Sequence, residues 1–259
     1  MQLKGKACFI TGGGRGLGRA MALAMAREGA HVMIISRSGK ELQEVVSLIR
    51  ASGGKGHYCE GDVSNPEDVS RGIDKALREY RGLDVLVSNA AVIGPARFLE
   101  DTDEAAWQKT INTNLYGAFL CCRTAGLIMK ERGSGKIINI SSGLGQMAYP
   151  RFCAYAVSKA GVIQMTRSLA EEWRAMNIQV NAIDPGTMDT GMQEGVRDLG
   201  PAVLGKDLHK HLVEYKEKGH LKDPERVAEL AVYLASHSSN HLSGHFGTLD
   251  YYRRLGWSG

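Results

Sequence analysis

The chain has 259 residues, of which 43% are hydrophobic and 23% charged, and its formal net charge is +4. This balance is typical of folded globular proteins and argues against extensive disorder. The basic residues form no run of five or six, so no nucleic-acid or anionic-membrane partner is indicated. No apolar stretch approaches the roughly 18 residues that span a bilayer.

Secretion and metal binding are also disfavoured by the sequence. The N-terminal stretch MQLKGKACFITGGG lacks the apolar region and cleavage site of a signal peptide. The five cysteines include no C-x-x-C pair, which favours reduced thiols and a cytoplasmic location. His237, His241 and His245 recur at intervals of four, but SHSSNHLSGH is rich in Ser, Asn and Gly. We therefore expect a loop there and no metal site.

Seven short apolar segments have the composition of β-strands. In most of them the side chains that point to either face of the strand are apolar, as expected for parallel strands covered on both faces. The predicted strands are residues 6–11, 31–36, 56–61, 84–89, 135–141, 178–184 and 246–250.

Helical patterns fill the intervals between these strands. Gly29 and the pair Gly53-Gly54 are expected to end the first two helices, and Pro66 and Pro224 to begin two later ones. A long, largely apolar helical pattern covers DEAAWQKTINTNLYGAFLCCRTAGLIMKERG. The alternation predicts an α/β fold with a doubly wound parallel sheet, whose ligands bind where the carboxyl ends of the strands meet.

We predict a single domain over residues 1–259 with one long interruption at 187–222. This stretch contains several glycines and the short amphipathic piece KDLHKHLVEYKEK. A long insertion at the ligand edge is often a lid, and the alternative is a packed surface excursion.

A glycine-rich loop, TGGGRGLG, follows the first predicted strand and precedes the first helix. Gly12, Gly16 and Gly18 fit the spacing G-x-x-x-G-x-G, whereas Leu17 breaks the commoner G-x-G-x-x-G. Glycines permit a tight turn and close approach of the backbone to a pyrophosphate, toward which the next helix directs its N–H groups. The loop therefore indicates a dinucleotide site.

The pentapeptide YAVSK places Tyr155 four residues before Lys159. On a helix, this spacing brings both side chains to one face. A phenol next to an ammonium can act as a proton donor of tuned acidity. A surface helix with an aromatic–cation neighbour pair is the alternative.

The segments TGGGRGLG, GDV, SNAA, NTN, ISS, YAVSK and DPGTMDT occur in this order over nearly the whole chain. Together they resemble the short-chain dehydrogenase/reductase family, and the pattern is most similar to its 3-oxoacyl-[acyl-carrier-protein] reductase-like members. The resemblance implies a Rossmann fold with a seven-stranded, mainly parallel sheet and helices on both faces. It also implies an oxidoreductase that uses a nicotinamide cofactor.

The resemblance implies a catalytic group of Asn114, Ser142, Tyr155 and Lys159. Ser142 is chosen over Ser141 because the family's serine lies thirteen residues before the tyrosine. Tyr155 would exchange the proton, Lys159 would lower its pKa and hold the ribose, and Ser142 would bind the substrate oxygen. Asn114 would anchor a water linking Lys159 to solvent. Without the family, a helix-kink or capping residue is the alternative interpretation of Asn114.

The resemblance also implies a set of cofactor-binding residues. Ala91 departs from the family by replacing a glycine, so its backbone must adopt a conformation open to alanine. The set comprises Thr11, Gly12, Gly14, Arg15, Gly16, Leu17, Gly18, Ser36, Arg37, Ser38, Asp62, Val63, Asn89, Ala90, Ala91, Tyr155, Lys159, Pro185, Gly186, Thr187 and Thr190.

The end of the second strand indicates which cofactor is used. Ser36 stands where NAD-dependent enzymes usually place an acidic residue. Arg37 and Arg15 supply two cations suited to a 2′-phosphate, and Ser38 adds a hydroxyl. We therefore predict NADP(H) rather than NAD(H). The alternative is that both arginines are merely solvated.

These observations predict an NADP(H)-dependent oxidoreductase acting on a carbonyl or secondary alcohol, such as a 3-oxoacyl thioester or another small ketone. The alternative is a non-catalytic NADP-binding sensor or scaffold. A homotetramer or homodimer is implied, paired through the helices around 107–130 and around Tyr155. The tail, residues 251–259, departs from the family ending and is expected to contact a neighbouring subunit or the pocket.

Overall fold

The computed structural model describes residues 1–259, and its centre is one seven-stranded sheet. The strands lie in the order β3-β2-β1-β4-β5-β6-β7, and all neighbouring pairs are parallel. The predicted doubly wound α/β fold is confirmed. The strands are β1 Ala7–Thr11, β2 His31–Ser36, β3 Lys55–Glu60, β4 Val85–Ser88, β5 Gly135–Ile140, β6 Ile178–Ile183 and β7 Phe246–Gly247.

Eleven α-helices connect and cover these strands. Pro66 and Pro224 begin α3 and α10 as predicted, and Gly29 and Gly53 have positive φ at helix ends. Asn65 and Asp223 cap the two helices by accepting bonds from backbone amides. The helices are α1 Gly16–Arg27, α2 Gly39–Ala51, α3 Pro66–Tyr80, α4 Glu104–Ile111, α5 Gly117–Arg132, α6 Cys153–Glu172, α7 Gly191–Asp198, α8 Gly200–Leu204, α9 Lys206–Glu217, α10 Pro224–Ala235 and α11 Leu249–Arg254.

Two predicted elements differ from the structure. The last strand was expected over 246–250, but it ends at Gly247 because Thr248 caps α11 and accepts a hydrogen bond from the Tyr251 amide at 3.4 Å. The long apolar helix is divided by a π-helical turn, Asn112–Tyr116, between α4 and α5. Such a turn inserts one extra residue and is frequent at functional sites.

Apolar cores lie on both faces of the sheet. On one face, Met21 and Met25 of α1 pack with residues of α2 and α10, including Leu42 and Leu230. The opposite core is formed by α3 and α5 with strand residues. Burial of both faces of the sheet explains why the side chains on both faces of the strands are apolar.

The tail folds back onto the chain's own core. The Tyr252 side chain is fully buried, with its hydroxyl 2.9 Å from the Ala182 carbonyl oxygen, and Trp257 is also buried. The predicted loop SHSSNHLSGH contains only a short 3₁₀ turn, and His245 Nδ1 lies 2.8 Å from the Tyr251 hydroxyl. None of the helices is both long enough and apolar enough to traverse a bilayer.

Candidate active site

A cavity of about 550 Å³ opens at the carboxyl ends of the strands. It is lined by the glycine loop, the end of β2, the segments after β3 and β4, and one face of α6. Most predicted site residues line it, whereas Thr11, Asn114, Ser142, Gly186 and Thr187 do not. The lining residues that the sequence predicted are Gly12, Gly14, Arg15, Gly16, Leu17, Gly18, Ser36, Arg37, Ser38, Asp62, Val63, Asn89, Ala90, Ala91, Tyr155, Lys159, Pro185 and Thr190.

The glycine loop requires glycine at specific positions. Gly12 has a φ of +66°, which favours a residue without Cβ. A Cβ on Gly18 would collide with the Gly12 carbonyl oxygen, so helix α1 can begin this close to the turn only with glycine at 18. Thr11 lies behind the loop, and its Oγ1 accepts bonds from the Asn89 and Ala90 amides, both at 2.9 Å. Thr11 thus joins the ends of β1 and β4.

The end of β2 presents the Ser36 hydroxyl and the Arg37 guanidinium to the cavity, which Arg15 of the glycine loop also lines. Ser36 Oγ is buried and has no hydrogen-bond partner within the protein. Arg37 Nη1 lies 3.8 Å from Asp62 Oδ2, and both side chains are partly exposed. Since buried polar groups are normally hydrogen-bonded, the orphaned Ser36 hydroxyl fits a polar ligand at this position.

A carboxylate that the sequence analysis did not single out faces the same corner. Glu41 Oε1 lies 3.9 Å from Arg15 Nη1, and a Cβ on Gly14 would meet both Glu41 Oε2 at 3.2 Å and Ser36 Oγ at 3.3 Å. Ser38 caps α2 by accepting a bond from the Glu41 amide. The S-x-x-E spacing of Ser38 and Glu41 is a capping-box pattern that places both at this helix start.

Tyr155 and Lys159 share one face of α6, as their spacing predicted. Tyr155 is 8% exposed and Lys159 is 2% exposed. Lys159 Nζ donates to the Ile140 carbonyl oxygen at 2.8 Å and lies 5.6 Å from the centroid of the Tyr155 ring. The ammonium is therefore held at the end of β5, next to the phenol.

The two adjacent serines after β5 have different surroundings. Ser141 is buried, and its Oγ donates to the Lys159 carbonyl oxygen at 2.9 Å. Ser142 lies close enough to Tyr155 to form a hydrogen bond that lowers the pKa of the phenol, and its Oγ also accepts from the Leu144 amide at 3.2 Å. The structure thus places Ser142 at the phenol and Ser141 behind it.

Burial dominates the electrostatics of this group. It raises the pKa of Tyr155 to about 12, against the lowering effect of Ser142 and with a further rise from the Asp184 carboxylate. Burial also lowers the pKa of Lys159 to about 8. We expected Lys159 to lower the phenol pKa, but the net shift is upward because desolvation disfavours the phenolate. Tyr155 is therefore protonated at neutral pH.

Asn114 holds the segment after β4 in place. Its Oδ1 accepts from the Val92 amide at 2.8 Å, and its Nδ2 donates to the Val92 carbonyl oxygen at 2.9 Å. The same Nδ2 lies 3.1 Å from Ser158 Oγ, which donates to the Tyr155 carbonyl oxygen at 2.7 Å. The side chain expected to anchor a water is thus engaged with protein groups.

Ser158 was not identified from the sequence, although it lies within YAVSK. Its buried position between Asn114 and Tyr155 links α6 to the π-helical turn. Ala91 stands where the family has a glycine. Its φ is not positive, so the backbone at this position has a conformation that alanine can adopt.

Residues 187–222 pack against Tyr155. Val196 of α7 and Leu204 of α8 form a buried cluster with Ala96, Phe152 and Tyr155. The Lys222 amide donates to the Thr187 carbonyl oxygen at 2.9 Å, which draws the two ends of the segment together. The predicted amphipathic piece is helix α9, and its Leu208 and Leu212 pack against the cluster.

The fold and this site define an oxidoreductase of the nicotinamide-binding class. The family model for short chain dehydrogenases matches residues 6–199. The chain belongs to the short-chain dehydrogenase family.

Relatives with different substrates resemble the chain at similar levels. It is 34% identical to a cis-4-hydroxycyclohexanecarboxylate dehydrogenase of Sinomonas cyclohexanicum, with 95% of each chain covered. It is 33% identical to a 3-oxoacyl-[acyl-carrier-protein] reductase of Thermotoga maritima, over 96% of this chain and 98% of the relative. The structure of a levodione reductase superposes with a TM-score of 0.88 at 25% identity, covering 98% of this chain and all of the other.

Proposed function

We propose that the protein is an NADP(H)-dependent oxidoreductase that transfers a hydride between the nicotinamide and a carbonyl or secondary alcohol. The observation that carries this proposal is the position of Tyr155 and Lys159 in a cavity that continues to the glycine loop, with Ser142 next to the Tyr155 phenol. When bound, the cofactor supplies the hydride chemistry. The chain binds, orients and exchanges the proton.

Tyr155 is the general acid and base in this proposal. Its buried phenol is protonated at neutral pH and can donate to a carbonyl oxygen as charge develops there. The Ser142 hydroxyl adds a second donor to the same oxygen. Lys159, fixed by the Ile140 carbonyl oxygen, supplies the positive charge that stabilises the phenolate after proton transfer.

The cavity fits a dinucleotide with a 2′-phosphate. The loop from Gly12 to Gly18 offers backbone amides at the start of α1. The unpaired Ser36 hydroxyl and the Arg37 guanidinium lie at the end of β2, where NAD-dependent enzymes usually place an acidic residue, and the Glu41 carboxylate at this corner is paired with Arg15. These groups support NADP(H), with Arg15 as a second cation.

Kinetics with both cofactors test this preference. We expect Arg37→Ala to lower kcat/KM for NADPH about tenfold or more and to leave the value for NADH nearly unchanged, because only NADPH carries the charged partner. Arg78→Ala, on the exposed face of α3, is the matched control. A wild-type kcat/KM that favours NADH would contradict the proposal.

A screen of NADPH consumption over ketones, acyl thioesters, sugars and steroids tests the reductase function. Tyr155→Phe should lower kcat about 10²–10⁴-fold, the usual contribution of a general acid, while NADPH still binds. The second candidate is a non-catalytic NADP-binding sensor. It would be supported if NADPH bound tightly and no carbonyl consumed it.

We further propose that residues 1–259 form one domain in which 187–222 is a lid, and that the substrate is a small ketone or a 3-oxoacyl thioester. The apolar cluster of Phe152, Val196 and Leu204, which packs with Tyr155, supports a substrate with an apolar body. The relatives named above act on a cyclic alcohol and on an acyl-carrier thioester, which is consistent with this range.

A homotetramer, or else a homodimer, is proposed for the assembly. Large apolar side chains are exposed on the helices expected to pair, namely Tyr116, Phe119, Leu127 and Val157. Light scattering that gave a monomer mass would refute this. The five cysteines are free, which supports a reducing compartment such as the cytoplasm.

A further inference from the structure

An acidic side chain stands at the end of β6, next to the catalytic group. Asp184 precedes Pro185, and its backbone amide donates to the Gly247 carbonyl oxygen at 2.8 Å. Its Oδ1 accepts a hydrogen bond from the Gly186 amide at 3.0 Å. This bond closes the turn after β6 and fixes the orientation of the carboxylate.

The other oxygen, Oδ2, has no hydrogen-bond donor within the protein. It faces the turn that begins at Ser142, because a Cβ on Gly143 would lie 3.1 Å from Oδ2 and 3.3 Å from Met147 Cε. The carboxylate also acts on the phenol, whose pKa it raises. Asp184 is therefore a partly exposed acceptor next to the turn that follows Ser142, the residue that we assign to the substrate oxygen.

We propose that Asp184 Oδ2 accepts a hydrogen bond from a hydroxyl group of the substrate next to the reacting carbon. The preferred substrates are then hydroxy ketones and the corresponding diols. This inference rests on the proposed reductase function and specifies its substrate class.

The charges around Asp184 favour a neutral donor. An anionic substituent at this position would be repelled by the carboxylate. A cationic substituent would be repelled by Lys222, whose ammonium lies next to Gly186, the residue that donates its amide to Asp184. A Cβ on Gly186 would lie 2.8 Å from Lys222 Nζ. A hydroxyl satisfies Oδ2 without adding charge, and hydrogen bonds to charged groups are stronger than those between neutral groups.

A matched pair of ketones tests the inference. Wild type should show a kcat/KM for 2-hydroxycyclohexanone about tenfold or more above that for cyclohexanone. Asp184→Asn keeps an oxygen for the Gly186 amide but replaces the free acceptor with a donor. It should lower kcat/KM for the hydroxy ketone about ten- to a hundredfold, with less than about threefold change for cyclohexanone. Asp74→Asn, at an exposed position on α3, should change neither value.

The ratio of the kcat/KM values for the two ketones separates recognition of the substrate hydroxyl from effects on Tyr155, because a changed phenol pKa alters both reactions alike. An equal loss for both ketones in Asp184→Asn would overturn the inference, as would a wild-type enzyme without preference for the hydroxy ketone.

Calorimetry separates this inference from the reductase proposal. With NADPH present, wild type should bind cis-1,2-cyclohexanediol more tightly than cyclohexanol, and Asp184→Asn should lose the difference. The screen over ketones, acyl thioesters, sugars and steroids tests the reductase proposal, and if neither cyclic ketone consumes NADPH, the diol measurement still decides the role of Asp184. Equal binding of the diol and cyclohexanol by wild type would refute the hydroxyl site.

Discussion

Two consecutive serines at the end of β5 differ in what they contact. Alternate side chains of an extended segment point to opposite sides, so Ser141 and Ser142 cannot face the same group. Ser141 bonds to the α6 backbone at Lys159, and Ser142 interacts with the Tyr155 phenol. The thirteen-residue spacing selected the serine that the structure places at the phenol.

Alanine variants of the two serines should therefore have different effects. Ser142→Ala is expected to lower kcat about 10²–10³-fold, the loss typical of a donor to a developing oxyanion. Ser141→Ala should keep kcat within a few-fold but lower the free energy of unfolding by about 1–3 kcal/mol, because the Lys159 carbonyl loses its side-chain donor. Steady-state kinetics and urea denaturation measure both. A larger kcat loss in Ser141→Ala would contradict the assignment.

The buried ammonium of Lys159 opposes folding at neutral pH. Its pKa falls from 10.5 to about 8 on folding, so the unfolded chain binds more protons between these values. The contribution of this group to stability therefore increases as pH rises from about 8 to 10.5, and the full cost of burying the charge is present below about 8.

Lys159→Met should accordingly raise the free energy of unfolding at pH 7 while abolishing activity. The difference from wild type should shrink as the pH rises from 8 toward 10.5, as the folded wild-type lysine loses its proton. Urea denaturation at pH 7 and pH 10 measures it. Lys136, whose pKa is also lowered to about 8, is present in both proteins and cancels in the comparison. A variant less stable than wild type at pH 7 would refute this account.

At the scale of elements, helices α7 to α9 cover Tyr155 through few buried side chains. The cluster that joins them to the rest of the site has five buried members, far fewer than the two cores on the sheet. Segments held by few buried contacts open at lower free energy than the core. The segment that we propose as a lid is therefore expected to open without global unfolding.

Leu204→Ala should loosen this lid. We expect a KM increase of about tenfold and faster proteolytic cleavage within 187–222, because truncating a buried leucine removes about 2–5 kcal/mol of packing. The matched control is Leu199→Ala, since Leu199 lies in the same segment and is 38% exposed. Unchanged cleavage in Leu204→Ala, or equal effects in both variants, would argue against a lid closed by this cluster.

At the scale of the whole molecule, the C-terminal tail completes one of the two cores. Tyr252 and Trp257 join the same buried cluster as α1 and α10, so residues distant in sequence depend on the last helix. The contacts of these two side chains are within the chain itself. The tail is thus a structural part of the fold.

Ending the chain after Asp250 should therefore lower stability sharply. Loss of a single large aromatic side chain from a core costs about 3–5 kcal/mol, and this truncation removes two. A truncation after Trp257 keeps both aromatics and is the control. Thermal unfolding should show a large decrease in Tm for the first and little change for the second. Equal Tm values for the two truncated proteins would contradict the structural role.

The sequence alone determined the order of elements, the glycine loop and the pairing of Tyr155 with Lys159. These features depend on local physics, namely hydrophobic periodicity, glycine at positive φ and helical i, i+4 spacing, so neighbouring residues suffice to predict them. Local signals also located the helix starts at Pro66 and Pro224.

Only the tertiary structure decided which distant groups meet. Asp184 approaches the turn after Ser142 because parallel pairing of β5 and β6 aligns the ends of these strands, and no local pattern encodes that alignment. Glu41 meets Arg15, and Ser158 meets Asn114, across segments far apart in sequence. Burial, which reverses the expected shift of the phenol pKa, is likewise a property of the packed molecule, because desolvation depends on every neighbouring group.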